Sequence, residues 1–251
     1  FMLEELNITK TQGGLIASWN FFGYLCGSIL SIFSIFTKRI KFIFFVSIVF
    51  SILTTFLMSI NDEIIFFIIV RFISGLSSAF VLIFGTALIL PSIQAFGKKS
   101  LSTSHFMGVG FGIVISSILV TILGDLGFHW NELWIGVALL SVILAIPIFI
   151  YTPNETLPNS YSPNSNYKNN FSFSLISISY GLYGFGYVIL GTFISAMARE
   201  TTGLETTEMY VWLLVGLAGI PMVIFWPWFG KKIGNDLALF LACAIMGLGV
   251  L

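Results

Sequence analysis

The sequence has 251 residues, of which 57% are hydrophobic and only 9% are charged, and equal numbers of cationic and acidic side chains give zero net charge. A soluble domain of this length exposes too much surface to carry so few charges, which excludes a water-soluble globular protein. A neutral chain also lacks the basic surface that a nucleic-acid partner requires. The composition therefore indicates a protein that is solvated mainly by lipid.

Long apolar runs define the predicted membrane spans. A bilayer core about 30 Å thick needs roughly 20 apolar residues in a helix. On that scale, spans are predicted at 13–36, 42–60, 64–91, 105–123, 133–151, 171–197 and 209–229, and an eighth apolar run begins near Leu237. The runs are continuous rather than alternating, which favours helices over the strands of a membrane barrel. We therefore predict an all-α membrane protein.

The charges outside these spans alternate in sign from one connection to the next. One side carries the basic residues Lys38, Arg39, Lys41, Lys98, Lys99, Lys168, Lys231 and Lys232, with only Glu155 and Asp236 among them. The other side carries Glu4, Glu5, Asp62, Glu63, Asp125, Glu132, Glu200, Glu205 and Glu208, with Lys10 and Arg199. Because basic loops face the cytoplasm, we expect the first side to be cytoplasmic and the N-terminal segment to lie outside.

A polar, proline-rich stretch at 153–170 separates the spans into two groups. This composition is typical of a linker, and it falls on the predicted cytoplasmic side. We therefore expect an incomplete N-terminal helical bundle of five spans at 1–152 and a cytoplasmic linker at 153–170. The remaining residues, 171–251, are expected to form an incomplete C-terminal bundle of two spans plus part of a third.

An internal repeat supports this division. A tryptophan and a glycine four residues later recur in the first and seventh spans, and each pair is followed at the same distance by two basic residues and an isoleucine. The copies are Trp19, Gly23 and Lys38-Arg39-Ile40, and Trp212, Gly216 and Lys231-Lys232-Ile233. Both copies run from outside to inside, and two parallel halves are typical of one transporter architecture. With six helices per half, we expect the sequence to be truncated at both ends.

Arg71 is the one charged side chain deep inside a predicted span. An arginine at the bilayer centre costs about 2.5–3.5 kcal/mol on insertion scales, so it requires a partner inside the bundle. It is either a substrate or proton-coupling site, or an arginine bonded to backbone carbonyls that holds two helices in register. Gly75 and Ala79 follow at four-residue spacing, which predicts close helix packing on the same face.

Other polar and small residues in the spans are further candidates. Asn20 and Tyr24 are one helical turn apart and could line a cavity, although a bond between helices is the alternative for Asn20. A tyrosine stripe, Tyr180, Tyr183 and Tyr187, could likewise line a cavity or simply pack. Glycines predicted to serve packing or gating are Gly108, Gly110, Gly112, Gly184 and Gly186. No catalytic, cofactor or metal motif is found, so neither an enzyme nor a cofactor is predicted.

Several segments together resemble a known family. These are ASWNFFGYLCG at 17–27, RFISGLSSA at 71–79, GVGFGI at 108–113, YGLYGFGY at 180–187 and AMARE at 196–200. Their order and spacing are similar to those of the YbfB/YjiJ family of the major facilitator superfamily. The resemblance covers about the second helix to the ninth.

The resemblance implies a major facilitator fold of two six-helix bundles, with a central cavity open alternately to each side of a bacterial cytoplasmic (inner) membrane. Arg71 with Gly75 matches the arginine motif of the superfamily's fourth helix, which is linked to proton coupling. The leading hypothesis is a secondary active transporter of an unidentified small solute. Its expected partners are the lipid bilayer and this solute, and protons are a candidate for the coupling ion. The alternative is a seven-helix membrane sensor or receptor without transport activity.

Overall fold

The computed structural model describes residues 2–95, 103–152, 171–203 and 210–249. All regular elements in these ranges are helical, which confirms the prediction of an all-α membrane protein. The helices are α1 (Met2–Glu5), α2 (Lys10–Leu30), α3 (Ser34–Thr37), α4 (Ile40–Leu57), α5 (Ile64–Ala95), α6 (Met107–Asp125), α7 (Trp130–Tyr151), α8 (Phe171–Glu200), α9 (Val211–Ile233) and α10 (Asn235–Leu248). A 3-10 turn at Ser104–Phe106 precedes α6. The predicted linker at 153–170 lies outside the described residues.

Six helical stretches in the described ranges are long and apolar enough to cross a membrane. They are Ile40–Leu57, Ile64–Ile93, Ser104–Asp125, Trp130–Tyr151, Ser177–Glu200 and Val211–Ile233. The helix α2 has 21 residues, enough for a crossing by length, but it is less apolar because glycines, serines and Asn20 interrupt its hydrophobic residues. The helix α10 is apolar but shorter. The chain is therefore a multi-pass membrane protein.

The predicted helix ends agree with the structure to within four residues, except at the end of α2. The first predicted span extended to residue 36, whereas α2 ends at Leu30. The Ser31 hydroxyl donates to the carbonyl of Ser28, and the next two amides bond three residues back, which tightens the chain into a turn. By contrast, α5 continues to Ala95, four residues beyond Pro91, where the sequence predicted its end.

The first compact unit comprises Phe1–His105 and Gly112–Thr156. Within it, α2 packs against α5, and α4 packs against both α5 and α7. Two hydrophobic clusters fill the spaces between these helices. One is centred on Phe44, Phe80 and Phe84, and the other on Met58 and Phe67.

Polar contacts tie the helix ends of this unit together. The Lys41 ammonium, at the start of α4, donates to the carbonyl of Thr152 after the end of α7 (3.1 Å). At the other end of α7, the Glu5 carboxylate contacts the His129 ring (3.0 Å) and accepts from the Trp130 amide (3.1 Å). A carboxylate at a helix N-terminus satisfies amides that have no partner inside the helix. The short helix α1 is thereby fixed to the start of α7.

The second unit comprises Phe106–Phe111 and Leu157–Leu251. Within it, α9 packs against α8 and α10. The chain turns between α9 and α10 at Gly234, whose φ of 94° lies in the left-handed region that glycine adopts without strain. The turn places Gly230, near the end of α9, beside Ala238 on α10, so the two helices are in contact next to the turn.

Candidate functional site

The crossing of α2 and α5 brings two backbones into direct contact. A Cβ added at Gly23 would overlap the carbonyl oxygen of Phe72, and one added at Gly75 would overlap the carbonyl oxygen of Asn20. One turn further along, a Cβ on Gly27 would lie 2.8 Å from the carbonyl oxygen of Leu76. Small residues at four-residue spacing allow this approach because they remove the side chains that would hold helices apart.

Asn20 joins the two helices at this crossing. Its side-chain amide donates a hydrogen bond to the backbone carbonyl of Arg71 (Nδ2–O 3.0 Å). Tyr24 follows one turn later on α2, and its backbone nitrogen lies beside Gly75. Asn20, Tyr24, Arg71 and Gly75 therefore meet at one level of the first unit. The helices that hold them are fixed by a polar bond as well as by backbone packing.

The guanidinium of Arg71 extends from α5 toward α7. Its Cζ lies 4.8 Å from the ring centroid of Trp134, within cation–π range. Its Nε is buried and has no hydrogen-bond partner, and the structure records no ion pair between Arg71 and any other described residue. The carbonyl of this arginine, rather than its side chain, carries the bond between helices. Among the described residues, the recorded side-chain contact of the guanidinium is the aromatic face of Trp134.

The surroundings of Arg71 are apolar. Val70, its neighbour in the chain, is 4% exposed, and Phe67, one turn earlier on α5, is fully buried. Phe67 packs edge-to-face on Trp130, which lies one turn before Trp134 on α7 (ring centroids 6.0 Å apart). In such an environment a charge interacts more strongly with a counter-charge than it does in water. The described residues supply no such counter-charge.

Trp134 is the site residue that the sequence reasoning missed. It lies in a continuous apolar run, where a tryptophan usually serves only to pack against other helices. The Trp130–Trp134 spacing of one helical turn was the available signal. It indicates an aromatic face on α7, but it does not indicate which cation that face meets.

The tyrosine stripe lies in the second unit, on α8. Tyr180 is 72% exposed and Tyr187 is 50% exposed, and Tyr183 between them is also exposed. A Cβ added at Gly184 would meet no atom within 4 Å among the described residues, whereas one at Gly186 would lie 3.3 Å from Met246 on α10. The stripe is thus an open face of α8, and the described residues do not enclose it in a cavity.

The glycines at the start of α6 also differ from one another. A Cβ added at Gly108 or Gly112 would be in open space among the described residues. One added at Gly110 would lie 2.7 Å from Ile220 on α9, inside the second unit. Ala79 on α5 is fully buried and lies beside Gly27. Among the described residues, Gly110 and Ala79 make close interhelix contacts, whereas Gly108 and Gly112 do not.

Comparisons with known proteins identify the family. A family model described as an uncharacterised MFS-type transporter, YbfB, matches residues 1–251. Comparison with curated proteins gives no significant match, and comparison with solved structures gives none either. The match confirms the resemblance that the sequence motifs indicate. The chain therefore belongs to the YbfB family of major-facilitator-type transporters.

Proposed function

We propose that this protein is a secondary active transporter that moves a small solute by alternating access, with Arg71 in its working site. The observation that carries the proposal is the guanidinium of Arg71, which faces Trp134 and has no counter-charge among the described residues, in a chain of a transporter family. An intramembrane charge is costly and is retained where it serves a function. No observation favours the alternative of a membrane sensor.

The driving force is proposed to be an ion gradient, with protons as the first candidate. Arg71 lies eight residues past Glu63, roughly 12 Å along the helix axis from the end of the span. At that depth its charge would respond to a solute or a proton entering the site. Asn20 and Tyr24 lie at the same level and would contribute polar groups.

We further propose that two bundles, 1–152 and 171–251, move against each other about a cytoplasmic linker at 153–170. In this arrangement the basic loops face the cytoplasm of a bacterial cell, in its inner membrane. Lys41 and Thr152 support the sidedness, because their hydrogen bond joins two ends that were both predicted to be cytoplasmic. The open tyrosine face of α8 would then contribute the lining of the second bundle.

The experiment is uptake into vesicles that contain the full-length protein, measured with and without an imposed proton gradient. Arg71→Ala is compared with the parent and with Arg39→Ala, which removes an exposed arginine before α4. We expect Arg71→Ala to insert normally but to lose coupled uptake, while Arg39→Ala retains it.

Two results would contradict the proposal. Uptake by Arg71→Ala equal to that of the parent would remove Arg71 from the mechanism. Absence of uptake by the parent across a broad solute panel, together with no alternating cysteine accessibility, would contradict transport itself. If Arg71→Ala fails to insert, Arg71→Lys keeps the charge and replaces it in the comparison.

A further inference from the structure

We infer that the solute is a small organic anion with a single carboxylate, bound by the guanidinium of Arg71. The inference rests on the proposed transport function, and it goes further by assigning a chemical class to the solute. Its basis is the charge balance of the described spans and the hydrogen-bonding state of one side chain.

Within the described spans, one positive charge, that of Arg71, lies away from the helix ends. The acidic residues of these helices lie in their first or last turns, as Asp125, Glu132, Glu200 and Asp236 do. Arg71 is about two turns inside α5, and no carboxylate of the described residues pairs with it. A buried charge needs a counter-charge or hydrogen-bond partners to offset its desolvation. A bound anion would supply both.

The contact with Trp134 does not replace a counter-charge. A cation–π contact leaves the net charge of the site unchanged. The Nε–H of Arg71 has no acceptor among the described residues. Arginine presents its N–H groups as a planar fork that matches the two oxygens of a carboxylate. An oxyanion would accept from the orphaned Nε–H and also offset the charge of the guanidinium, which a neutral or cationic solute would not do.

The number of charges distinguishes a carboxylate from a phosphate ester. A carboxylate carries one negative charge at neutral pH, whereas a phosphate monoester carries about 1.5 to 2. One guanidinium neutralises the first and leaves the second with excess charge in an apolar environment. The neighbouring side-chain amide of Asn20 is neutral and adds no charge to the site, and its hydrogen bond to the Arg71 carbonyl positions the helix.

The platform for this anion is rigid. The Asn20 bond and the glycine contacts at Gly23 and Gly75 fix α2 on α5 at the level of the arginine. Arg71 as a whole is half-buried, and its Nε is fully buried. A preorganised site loses less entropy on binding than a mobile one. These features suit a binding group that must select a solute by charge.

The test uses matched pairs of an acid and its primary amide: benzoate with benzamide, acetate with acetamide, and phenyl phosphate as the doubly charged comparison. Binding to the purified full-length protein is measured as a rise in its unfolding temperature. We expect at least one carboxylate to stabilise the parent, and we expect the matching amide to bind more weakly by a factor of about ten or greater. Arg71→Gln is expected to abolish the effect, Arg71→Lys to retain part of it, and Arg39→Gln to leave it unchanged.

Counterflow of the same compounds in proteoliposomes separates this inference from the proposed function. Transport of a neutral or cationic solute that is unaffected by Arg71→Gln would overturn the anion inference and leave transport standing. Arg71-dependent binding of a carboxylate without any counterflow would uphold the anion site and contradict transport. If no carboxylate stabilises the protein, or if amides and phenyl phosphate bind equally well, the anion inference is wrong. If Arg71→Gln does not fold, the rise in unfolding temperature that the carboxylate causes is compared between Arg71→Lys and Arg39→Lys. A smaller rise in Arg71→Lys would uphold the inference, and an equal rise would overturn it.

Discussion

The crossing of α2 and α5 and the open face of α8 carry similar sequence patterns with different structural outcomes. Both have glycines at short helical spacings beside a tyrosine. At the crossing, Gly23 and Gly75 each lie against the carbonyl of the other helix. On α8, Gly181 and Gly184 meet nothing within 4 Å among the described residues. A pattern of small residues therefore permits close packing, but a contact forms only where the backbone of another helix lies against it.

This difference separates two kinds of candidate site. The crossing is a fixed joint, and it holds Arg71 at a defined level through a bond to its carbonyl. The face of α8 presents tyrosines that are exposed among the described residues. A binding group on a rigid joint keeps its geometry, whereas an open face depends on what covers it. The crossing is therefore the stronger candidate for the working site.

The largest expected effect comes from a methyl group placed at the crossing. Gly75→Ala would drive its Cβ into the carbonyl of Asn20, and a backbone cannot move aside as a flexible side chain can. Overpacking of this kind costs about 1–3 kcal/mol, and occasionally more. We expect a clear fall in the unfolding temperature of the protein in detergent and less monodisperse protein in size-exclusion chromatography.

Gly184→Ala is the matched control for this comparison. The same methyl group on α8 enters open space, and alanine has a higher helix propensity than glycine by about 1 kcal/mol. We expect an unfolding temperature equal to or above that of the parent. Equal losses for both variants would show that the crossing of α2 and α5 and the face of α8 are packed alike.

A smaller effect is expected when the aromatic partner of Arg71 is removed. Trp134→Leu keeps an apolar side chain but removes the ring that the guanidinium faces at 4.8 Å. The loss of a cation–π contact is worth about 0.5–2 kcal/mol. The double-mutant cycle with Arg71→Gln measures it, with Trp130→Leu as the control tryptophan one turn away. A coupling energy of zero would mean that the ring does not stabilise the guanidinium.

The smallest effect is expected from the bond between the helices. Asn20→Ala removes the amide that donates to the Arg71 carbonyl. Side-chain hydrogen bonds between membrane helices average about 0.6 kcal/mol, and that carbonyl can still accept within its own helix. We expect a slight loss of thermal stability and a larger loss of solute affinity, because the level of Arg71 is less well fixed. Unchanged affinity would assign Asn20 to packing alone.

The sequence predicted most of the fold because the relevant signals are local. Hydropathy over about 20 residues predicted the helices α4, α5, α6, α7, α8 and α9, and their ends agree with the prediction to within four residues. The end of α2 was missed because Ser28 and Ser31 form a turn inside an apolar run. The motifs also predicted the family, which the whole-chain match confirms.

The candidate site was predicted only in part. The isolated charge of Arg71 was evident, since a single arginine in an apolar span stands out by composition. Its aromatic partner was not, because Trp134 is one of several tryptophans in apolar runs. The assignment of the remaining candidates, including Tyr180, Tyr183 and Tyr187, stays a prediction.

The sequence by itself determined that the chain is a helical membrane protein, where most of its spans lie, and that one of them carries a single arginine. Only the tertiary structure decided that Asn20 bonds to the Arg71 carbonyl, that Trp134 covers the guanidinium, and which glycines are in contact. Burial of an apolar run in lipid depends on residues adjacent in the chain. A contact between Asn20 and Arg71 spans 51 positions, and it depends on how two complete helices cross and rotate against each other. That geometry is set by the packing of many side chains at once, and no single motif encodes it.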